Sequence, residues 1–375
     1  MTNHYDIAII GGGIAGFSLA HFLADKRKVL LLEREDVFGY HTTARSAGEF
    51  SYSHHTPLVG KLAKLSFPFL NNPDPHFSET KLLNPRGAIY IASEEKREKL
   101  ASVFNDERQH SQEMEMLAVD EAIKRAPILN PEFFTTAFYD PNCWDIEVAN
   151  LFQSYIKSAK KSGTVALTKA AILSAVRTEN IWKIESSAGS FTAATIVNAS
   201  GAWADETAAI CGAAPLNMSP LRRTVITVEL PSAINTATLP EIAEIEEDFY
   251  MKPDAGKLLV SPADEHLSQP CDAQPEELDI AWAMHWLNES TTINAGNVSH
   301  SWAGLRSFAP DRAPVVGWDN NVDGLFWLAG QGGFGIQTSP ALGRLAADLL
   351  QGKPLPDDFK DIGLSGTDID PARFC

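Results

Sequence analysis

Cysteine is scarce in this chain: four residues in 375, at positions 143, 211, 271 and 375. They form no CxxC and no Cys/His grouping at metal-ligand spacing, so no metal site is expected and the thiols read as structural or incidental. Long hydrophobic runs are also missing. The first apolar stretch, Ile7 to Ile10, runs straight into glycines, short of the roughly 7–15 residues that a secretion signal requires, and nothing approaches a membrane span. The default expectation is a cytoplasmic protein, with a peripheral position at the inner membrane left open for electron transfer. Positive charge is in deficit, with 31 Lys+Arg against 48 Asp+Glu and a formal charge of −17. That balance disfavours loose binding to nucleic acid or anionic lipid, and it means that an anionic substrate would need locally placed cations. No Ser/Gly, Pro or Gln tract and no internal repeat stands out. What is present is an ordinary globular composition, 44% hydrophobic and 21% charged, in a chain long enough for two cores.

Residues 5–33 read YDIAIIGGGIAGFSLAHFLADKRKVLLLE: an apolar run, a glycine turn, a short amphipathic segment, a second apolar run and an acid. Gly11, Gly13 and Gly16 fill G-x-G-x-x-G. The first permits the tight turn, the second a close approach of pyrophosphate, and the third packing of helix on strand. The helix that opens at Ile14 and Ala15 turns its N-terminus toward phosphate. Glu33, followed by Arg34, ends the second strand where a carboxylate can accept hydrogen bonds from ribose hydroxyls, which argues against a 2′-phosphate. NAD and FAD both remain open at this point.

The next stretch favours FAD. GYHTTARSAGEF, residues 39–50, offers His41, Thr42, Thr43, Arg45, Ser46 and the backbone of Ala47 and Gly48 as donors that could clamp the far side of a pyrophosphate. GLFWLAGQGGFGIQTSPALGRLAADLL, residues 324–350, is an apolar strand, a glycine-rich turn and an amphipathic helix. There Ser339 reads as the N-cap, Pro340 as the first helical residue and Gly352 as the stop. Such a helix end, pointed at a flavin pyrimidine ring, would stabilise negative charge on the reduced ring. Between these, AATIVNASGAWADETA, residues 193–208, is a strand running into Gly201 and Trp203, read as a return to the nucleotide fold. Val225–Leu230 and Phe249–Met251 carry strand character, and the apolar, aromatic stretch 278–287 is read as part of a sheet floor. The acidic run EIAEIEEDF, residues 241–249, is read as a solvated face leading into Tyr250.

The chain resembles the D-amino acid oxidase and glycine oxidase superfamily, most closely the bacterial D-arginine dehydrogenase type. The resemblance spans nearly the whole chain, and its most specific strings are GYHTTARSAG, FYMKPDAG, SWAGLRSFAPD and QGGFGIQTS. It implies an α/β fold with an α+β substrate domain: a discontinuous FAD-binding, Rossmann-like domain (1–77, 145–214 and 300–375) and an inserted mixed or antiparallel-sheet substrate domain (78–144 and 215–299). It further implies oxidation of an amine to an imine, with hydride passing from the α-carbon to flavin N5. Water then hydrolyses the imine to an oxo acid and ammonia, so positioning dominates what the protein must supply. Electrons would leave to a quinone, another carrier or O2.

Carried over residue by residue, Arg223 and Arg306 match the arginines that hold the substrate carboxylate, and Tyr250 matches a supporting hydroxyl. A planar guanidinium fork suits that task, although Arg222 or Arg223 on a strand could equally face solvent. Gly333 falls beside the substrate amine. Gln337 and Thr338 fall at the flavin pyrimidine end, with Gly304, Gly332, Gly335 and Ile336 on the same site. Gly48 and Ser51 line the flavin and the pocket.

Two departures bear on specificity. The arginine-oxidising relatives follow a Pro-Arg pair with a carboxylate that receives the substrate guanidinium, whereas Pro85-Arg86 here precedes Gly87 and Ala88. Glu49 replaces a pocket histidine and His54 a lid tyrosine. If Glu49 and His54 face each other, activity should respond to pH between about 6 and 8. Covalent attachment in some relatives uses a cysteine near the segment that reads WAGLRSF here; none is present, so FAD is expected to be non-covalent. The leading expectation is dehydrogenation of a D-amino acid with a neutral or modestly polar side chain. Alternatives are a secondary amine of the proline or sarcosine kind, a 2-hydroxy acid with His54 as base, or a non-catalytic flavin-binding redox sensor.

Overall fold

The structure, a computed structural model, describes residues 4–23, 27–52, 56–108 and 113–374. His54 lies outside the described residues. Aliphatic runs build a parallel sheet in the order Leu325–Ala329, Gly189–Asn198, His4–Ile10, Val29–Leu32, Val165–Leu167. Both faces of this sheet are covered. Ile7 and Ile9 pack with Phe17, Leu62, Leu151 and Leu342 under the helices Ile14–Phe22, Pro57–Asn71, Val148–Lys161 and Gly335–Leu350. Ala8 and Ile10 face the opposite core, with Trp182 of an antiparallel pair (Ile172–Thr178 and Ile181–Ser186) and Ala204 and Ala208 of a short helix. Burial on two faces explains why the strands read as continuous apolar runs rather than as alternating ones. Ligands of such sheets sit outside the carboxyl ends of the strands, which here means beyond Ile10, Leu32 and Asn198.

A second, ten-stranded sheet stands against this edge. Its centre is Ser219–Glu229, paired antiparallel with His300–Phe308 on one side and Lys257–Ser261 on the other, and continuing through Tyr250–Asp254, Glu241–Glu244 and Ala88–Ala92. The sheet is mixed, because Glu241–Glu244 runs parallel to Ala88–Ala92. Thus residues 300–308, expected in the nucleotide domain, pair in the second sheet and carry Arg306 alongside Arg223. Arg223 lies opposite Gly304, and Leu221 opposite Arg306.

Three local expectations are corrected. Residues 278–287 are helical, within Glu277–Ser290. Ile280, Ala283, Met284 and Leu287 recur at helical spacing and pack on the second sheet's core, a period of 3.6 masked by the aromatic residues between them. The C-terminal helix starts a turn earlier than Ser339, at Gly335, with Pro340 inside it. Pro340 has no N–H for the carbonyl of Ile336, and the Ser339 hydroxyl donates to that oxygen instead at 2.9 Å, which is how the proline is tolerated there. Gly352, at φ +73°, follows the helix as expected. The acidic run is solvated only at Glu246 and Glu247; Glu241 and Glu244 are 3% and 4% exposed on a strand of the second sheet.

Candidate active site

Where the strands of the first sheet end, the chain turns at Gly11 with φ +114°, and a Cβ there would stand 2.3 Å from the Ala199 carbonyl oxygen. A Cβ on Gly16 would meet the Gly11 oxygen at 2.1 Å, so Gly16 serves helix packing and does not reach the cleft. Gly13 instead lines the cleft, where a Cβ would stand 3.2 Å from Thr43 Oγ1. The cleft has two connected parts that share Gly13, Thr42, Thr43, Ala199 and Gly201. One, of about 350 Å³, lies over Gly11 and Glu33. Glu33 is 8% exposed; one of its carboxylate oxygens accepts from Gly12 N at 2.7 Å and the other from Glu35 N at 2.9 Å. Arg34, His41 and Trp203 wall the same part. The Arg34 guanidinium sits 4.8 Å from the Trp203 ring centre, and the His41 ring 4.5 Å from it.

The other part, of about 220 Å³, runs from Ile14 and Ala15 past Ser46, Ala47, Gly48 and Glu49 to the glycine-rich turn. Gly332, Gly333, Gly335, Ile336 and Gln337 form its wall at the N-terminus of the last helix. Arg223, Tyr250 and Arg306 enter it from the second sheet. A dinucleotide fits these residues: a tight glycine turn without side chain at Gly13, a carboxylate at one end, and helix N-termini at the centre and the other end.

Several expected contacts go elsewhere. Arg45 does not reach the cleft: its Nη1 donates to the carbonyls of Ala273 and Ala303 at 2.8 and 2.9 Å, and Nη2 pairs with Asp272. The Thr42 hydroxyl donates to Leu305 O at 2.7 Å, and Thr43 Oγ1 accepts from Ile14 N at 3.0 Å. The segment expected to clamp pyrophosphate with side chains therefore also laces the nucleotide fold to the second sheet. Gly304 lies against the Arg45 stem: a Cβ on it would stand 3.3 Å from Arg45 Cβ. The Thr338 hydroxyl is turned back to the Phe334 carbonyl at 2.8 Å. Ser51 supports Gln337, donating its N–H to the amide oxygen at 3.0 Å.

The two arginines converge. Arg223 is 8% exposed; its Nε donates to Asp264 O at 2.9 Å, and its Nη2 lies 3.3 Å from the Glu265 carboxylate. Arg306 Nη1 is 3.8 Å from the same oxygen, which Arg312 also meets at 2.9 Å. Burial, with the like charge of Arg223, draws the Arg306 guanidinium down to about 10. It lies against Gly333, where a Cβ would stand 1.8 Å from Nε, and 5.1 Å from the Phe334 ring centre. Arg222, by contrast, turns away to Glu276 and Asp279, so it is Arg223 that faces the cavity.

Sequence reasoning missed the carboxylates of the second sheet. Glu241 and Glu247 line the cavity with Tyr90 and Ala243. Ala88 is buried and supplies no carboxylate, but the acidic run expected in solvent does. Glu49 and Glu241 bring carboxylate oxygens within 4.8 Å of each other; burial raises the Glu49 carboxyl against the lowering effect of Lys252, and Glu241 is raised more strongly by burial and by Glu49. Two groupings, Glu49/Cys143/Glu241 and Asp264/His266/Asp279, bring donor atoms within 4.8 Å. In each the chain supplies its own cation, Lys252 beside the first and Arg222 in the second.

Fold and cleft together fit a dinucleotide, with a chamber lined by Arg223, Tyr250 and Arg306 at one end. The chain belongs to the FAD dependent oxidoreductase (DAO) family, whose profile matches residues 6–349, and it binds FAD. It is 25% identical to a glycine oxidase of Geobacillus kaustophilus over 97% of this chain and 98% of that one. The crystal structure of that oxidase superposes with a TM-score of 0.83 over 97% of this chain and 99% of the other. The mitochondrial dimethylglycine dehydrogenase of Rattus norvegicus is 24% identical over 98% of this chain, which spans 45% of that protein. The structure of L-proline dehydrogenase from P. horikoshii gives a TM-score of 0.84 at 19% identity, covering 100% of this chain and 98% of that one. The protein is an FAD-dependent oxidoreductase acting on amine or amino-acid-like substrates. Among the described residues no helix is long and apolar enough to cross a membrane.

Proposed function

We propose that the protein oxidises the Cα–N bond of a D-amino acid to the imino acid, which water hydrolyses to the 2-oxo acid and ammonia. The observation that supports this reading is the convergence of Arg223, Arg306 and Tyr250 on one chamber beside the glycine-rich turn. A substrate carboxylate would be taken by the two guanidinium forks, which carry positive charge into a chain of net charge −17. FAD supplies the hydride acceptor when bound. The chain's own residues anchor the carboxylate, hold the α-carbon toward Gly333 and exclude water with Phe334 and Leu305. Tyr90, Glu241 and Glu247 wall the remaining space. Polar acceptors there suit a modestly polar side chain bearing a hydrogen-bond donor, which narrows the expectation drawn from Ala88 alone.

A secondary amine is the second reading, favoured by the names of the dimethylglycine and proline dehydrogenases that the chain is similar to. Anaerobic bleaching of the flavin band separates the two readings. A panel of D- and L-amino acids, sarcosine, D-proline and 2-hydroxy acids should give fastest bleaching with polar D-amino acids. Arg306→Ala should weaken it about 10²-fold or more, the cost of a lost charge-assisted pair of about 3 kcal/mol. Bleaching by secondary amines alone would replace the leading substrate, and bleaching by 2-hydroxy acids alone would move the chemistry to an alcohol.

A further inference from the structure

Oxidation of an amine by hydride loss requires the free base, because the nitrogen lone pair assists departure of the hydride, yet an amino acid reaches the chamber as an ammonium. A proton must therefore leave the substrate nitrogen inside a cavity whose carboxylate anchor is cationic. The arginine pair already works in this direction: positive charge at Arg306 and Arg223 disfavours a second cation beside it. What remains is an acceptor.

Glu49 and Glu241 are placed to be that acceptor. Glu49 opens the strand Glu49–Ser51 immediately after the Gly48 turn, and Glu241 opens a strand of the second sheet. Their carboxylate oxygens lie within 4.8 Å of each other, and both side chains line the chamber that holds Arg223, Arg306 and Tyr250. Glu241 is 3% exposed, whereas Glu49 is half-buried, so Glu49 is the member turned toward a ligand and Glu241 stands behind it. Two buried carboxyl groups this close are favoured to hold one proton between them, since like charges at this range do not both ionise.

The surroundings fit a single shared proton. Lys252, from the strand Tyr250–Asp254, lies 2% exposed beneath the pair, but its charge is engaged by Asp145 at 2.6 Å and by the carbonyls of Ala47 and Gly48 at 3.0 and 3.3 Å. Asp145 is shared with Arg86 at 2.8 Å. Tyr90, Cys143 and Asp140 approach from neighbouring strands, and burial with the carboxylates raises the Tyr90 hydroxyl and the Cys143 thiol, so both stay neutral. Glu247 adds negative charge near Glu49, and Arg306 positive charge. Arg86 and Lys252 are already faced by Asp145, and Asp140 adds negative charge to the cluster, so each ionised carboxylate of the pair adds a buried charge and one retained proton lowers that cost.

We propose that Glu49 and Glu241 act as a carboxyl–carboxylate pair that takes the proton from the substrate ammonium. This rests on the amine-oxidation reading above. The N–H bond of the ammonium breaks and an O–H bond forms on Glu49, while Glu241 retains the proton already shared. The pair passes from one negative charge to none and the substrate nitrogen from one positive charge to none, so the step removes two buried charges at once. Desolvation raises the Glu49 carboxyl although the proton held by Glu241 works the other way, so Glu49 remains a stronger base than an exposed glutamate. After the imine departs, the extra proton returns to solvent and the pair regains its single charge.

The test is the pH dependence of anaerobic flavin reduction in wild type, Glu241→Gln and Glu49→Gln, each loaded with FAD and matched for thermal stability. In wild type the rate should stay level across neutral pH and fall at acid pH, where the pair already holds two protons. Glu241→Gln removes the shared proton that tempers Glu49, so Glu49 is protonated more readily and the acid limb should move to higher pH. Glu49→Gln removes the group that takes the proton, so its neutral-pH rate should drop about 10²- to 10⁴-fold and climb tenfold per pH unit, recovering near the wild-type value as pH reaches the free amine's own titration. That alkaline rescue is what a purely structural lesion would not show. Independently of turnover, infrared difference spectra of the oxidised holoenzyme should contain a protonated-carboxyl band that both variants lose. Loss of rate in equal proportion at every pH, an unchanged profile, or the absence of that band would each overturn the pair's role while leaving amine oxidation standing. Failure of every amine to bleach wild-type flavin would overturn amine oxidation itself, and the pair's role with it.

Discussion

Replacing Gly333 by alanine tests the carboxylate anchor with a single methyl group. The glycine's φ is not in the left-handed region, so alanine can adopt the backbone. The added Cβ, however, would stand 1.8 Å from Arg306 Nε, 1.9 Å from Nη2 and 2.1 Å from Cζ. Ordinary van der Waals contact begins near 3.4 Å, so the guanidinium must retreat by about 3.4 − 1.8 = 1.6 Å. The obstructing atoms are the far end of a flexible side chain, which makes the cost to the fold small and the displacement real. A shift of that size removes at least one arm of a bidentate carboxylate contact. Charge-assisted hydrogen bonds contribute about 1.5–3 kcal/mol each, so half-saturation should rise roughly 10- to 100-fold, and misplacement of the α-carbon should lower the limiting rate by up to about 10². The assay is anaerobic flavin reduction against substrate concentration, with flavin content and melting temperature as controls. Gly333→Ala protein that carries full flavin, melts like wild type and keeps wild-type half-saturation would refute the placement of Arg306 as anchor.

Two other consequences can be checked without a substrate. Gly11→Ala combines φ +114° with a Cβ 2.3 Å from a backbone oxygen that cannot move aside. It should lower stability by about 1–3 kcal/mol and reduce bound flavin per chain, read from the absorbance ratio and the melting temperature. His21 is held in an aromatic cage, its ring 4.7 to 5.5 Å from those of Phe22, Phe77 and Tyr155 and its Nδ1 2.6 Å from Ser158 Oγ. Burial draws it down to about 4. Between its ordinary value of 6.5 and about 4 the unfolded chain binds a proton that the folded one refuses, so stability should fall as pH drops through that window and level off below it. The effect is at most about 3 kcal/mol, less for the part of the ring that water reaches. Denaturant titrations at stepped pH should show His21→Phe losing that slope, and an equal slope in both proteins would exclude the histidine as its source.

The nucleotide half of the site was legible in the sequence because its determinants are local. The glycine spacing, the acid at the end of the second strand and the glycine-rich entry to the last helix each lie within a few residues of the backbone feature they serve. Position 223 rather than 222 was assigned to the cavity by resemblance, and the sheet register explains it physically: adjacent strand residues face opposite sides, and Arg222 takes the side of Glu276 and Asp279. Arg45 was harder, since a guanidinium in a donor-rich loop reads as a phosphate clamp. The oxygens that capture it, on Ala273 and Ala303, belong to distant segments whose approach only the fold determines.

The acidic strand carries the sharper lesson. A run of glutamates separated by Ile242, Ala243 and Ile245 alternates imperfectly, and charge density alone places it in solvent. Burial of Glu244 and Glu241 is possible because cations arrive from other elements. Lys96 meets the Glu244 carboxylate at 3.1 Å, and Lys252 lies beside the Glu49–Glu241 pair. All four residues of the strand Glu241–Glu244 are buried, so neither of its faces offers these side chains water. The carboxylates must be paired, protonated or both, and those lining the chamber are thereby turned from solubilising charge into acid–base chemistry. The same non-local compensation that hid Glu241 from sequence reasoning is what gives it a proton to share with Glu49.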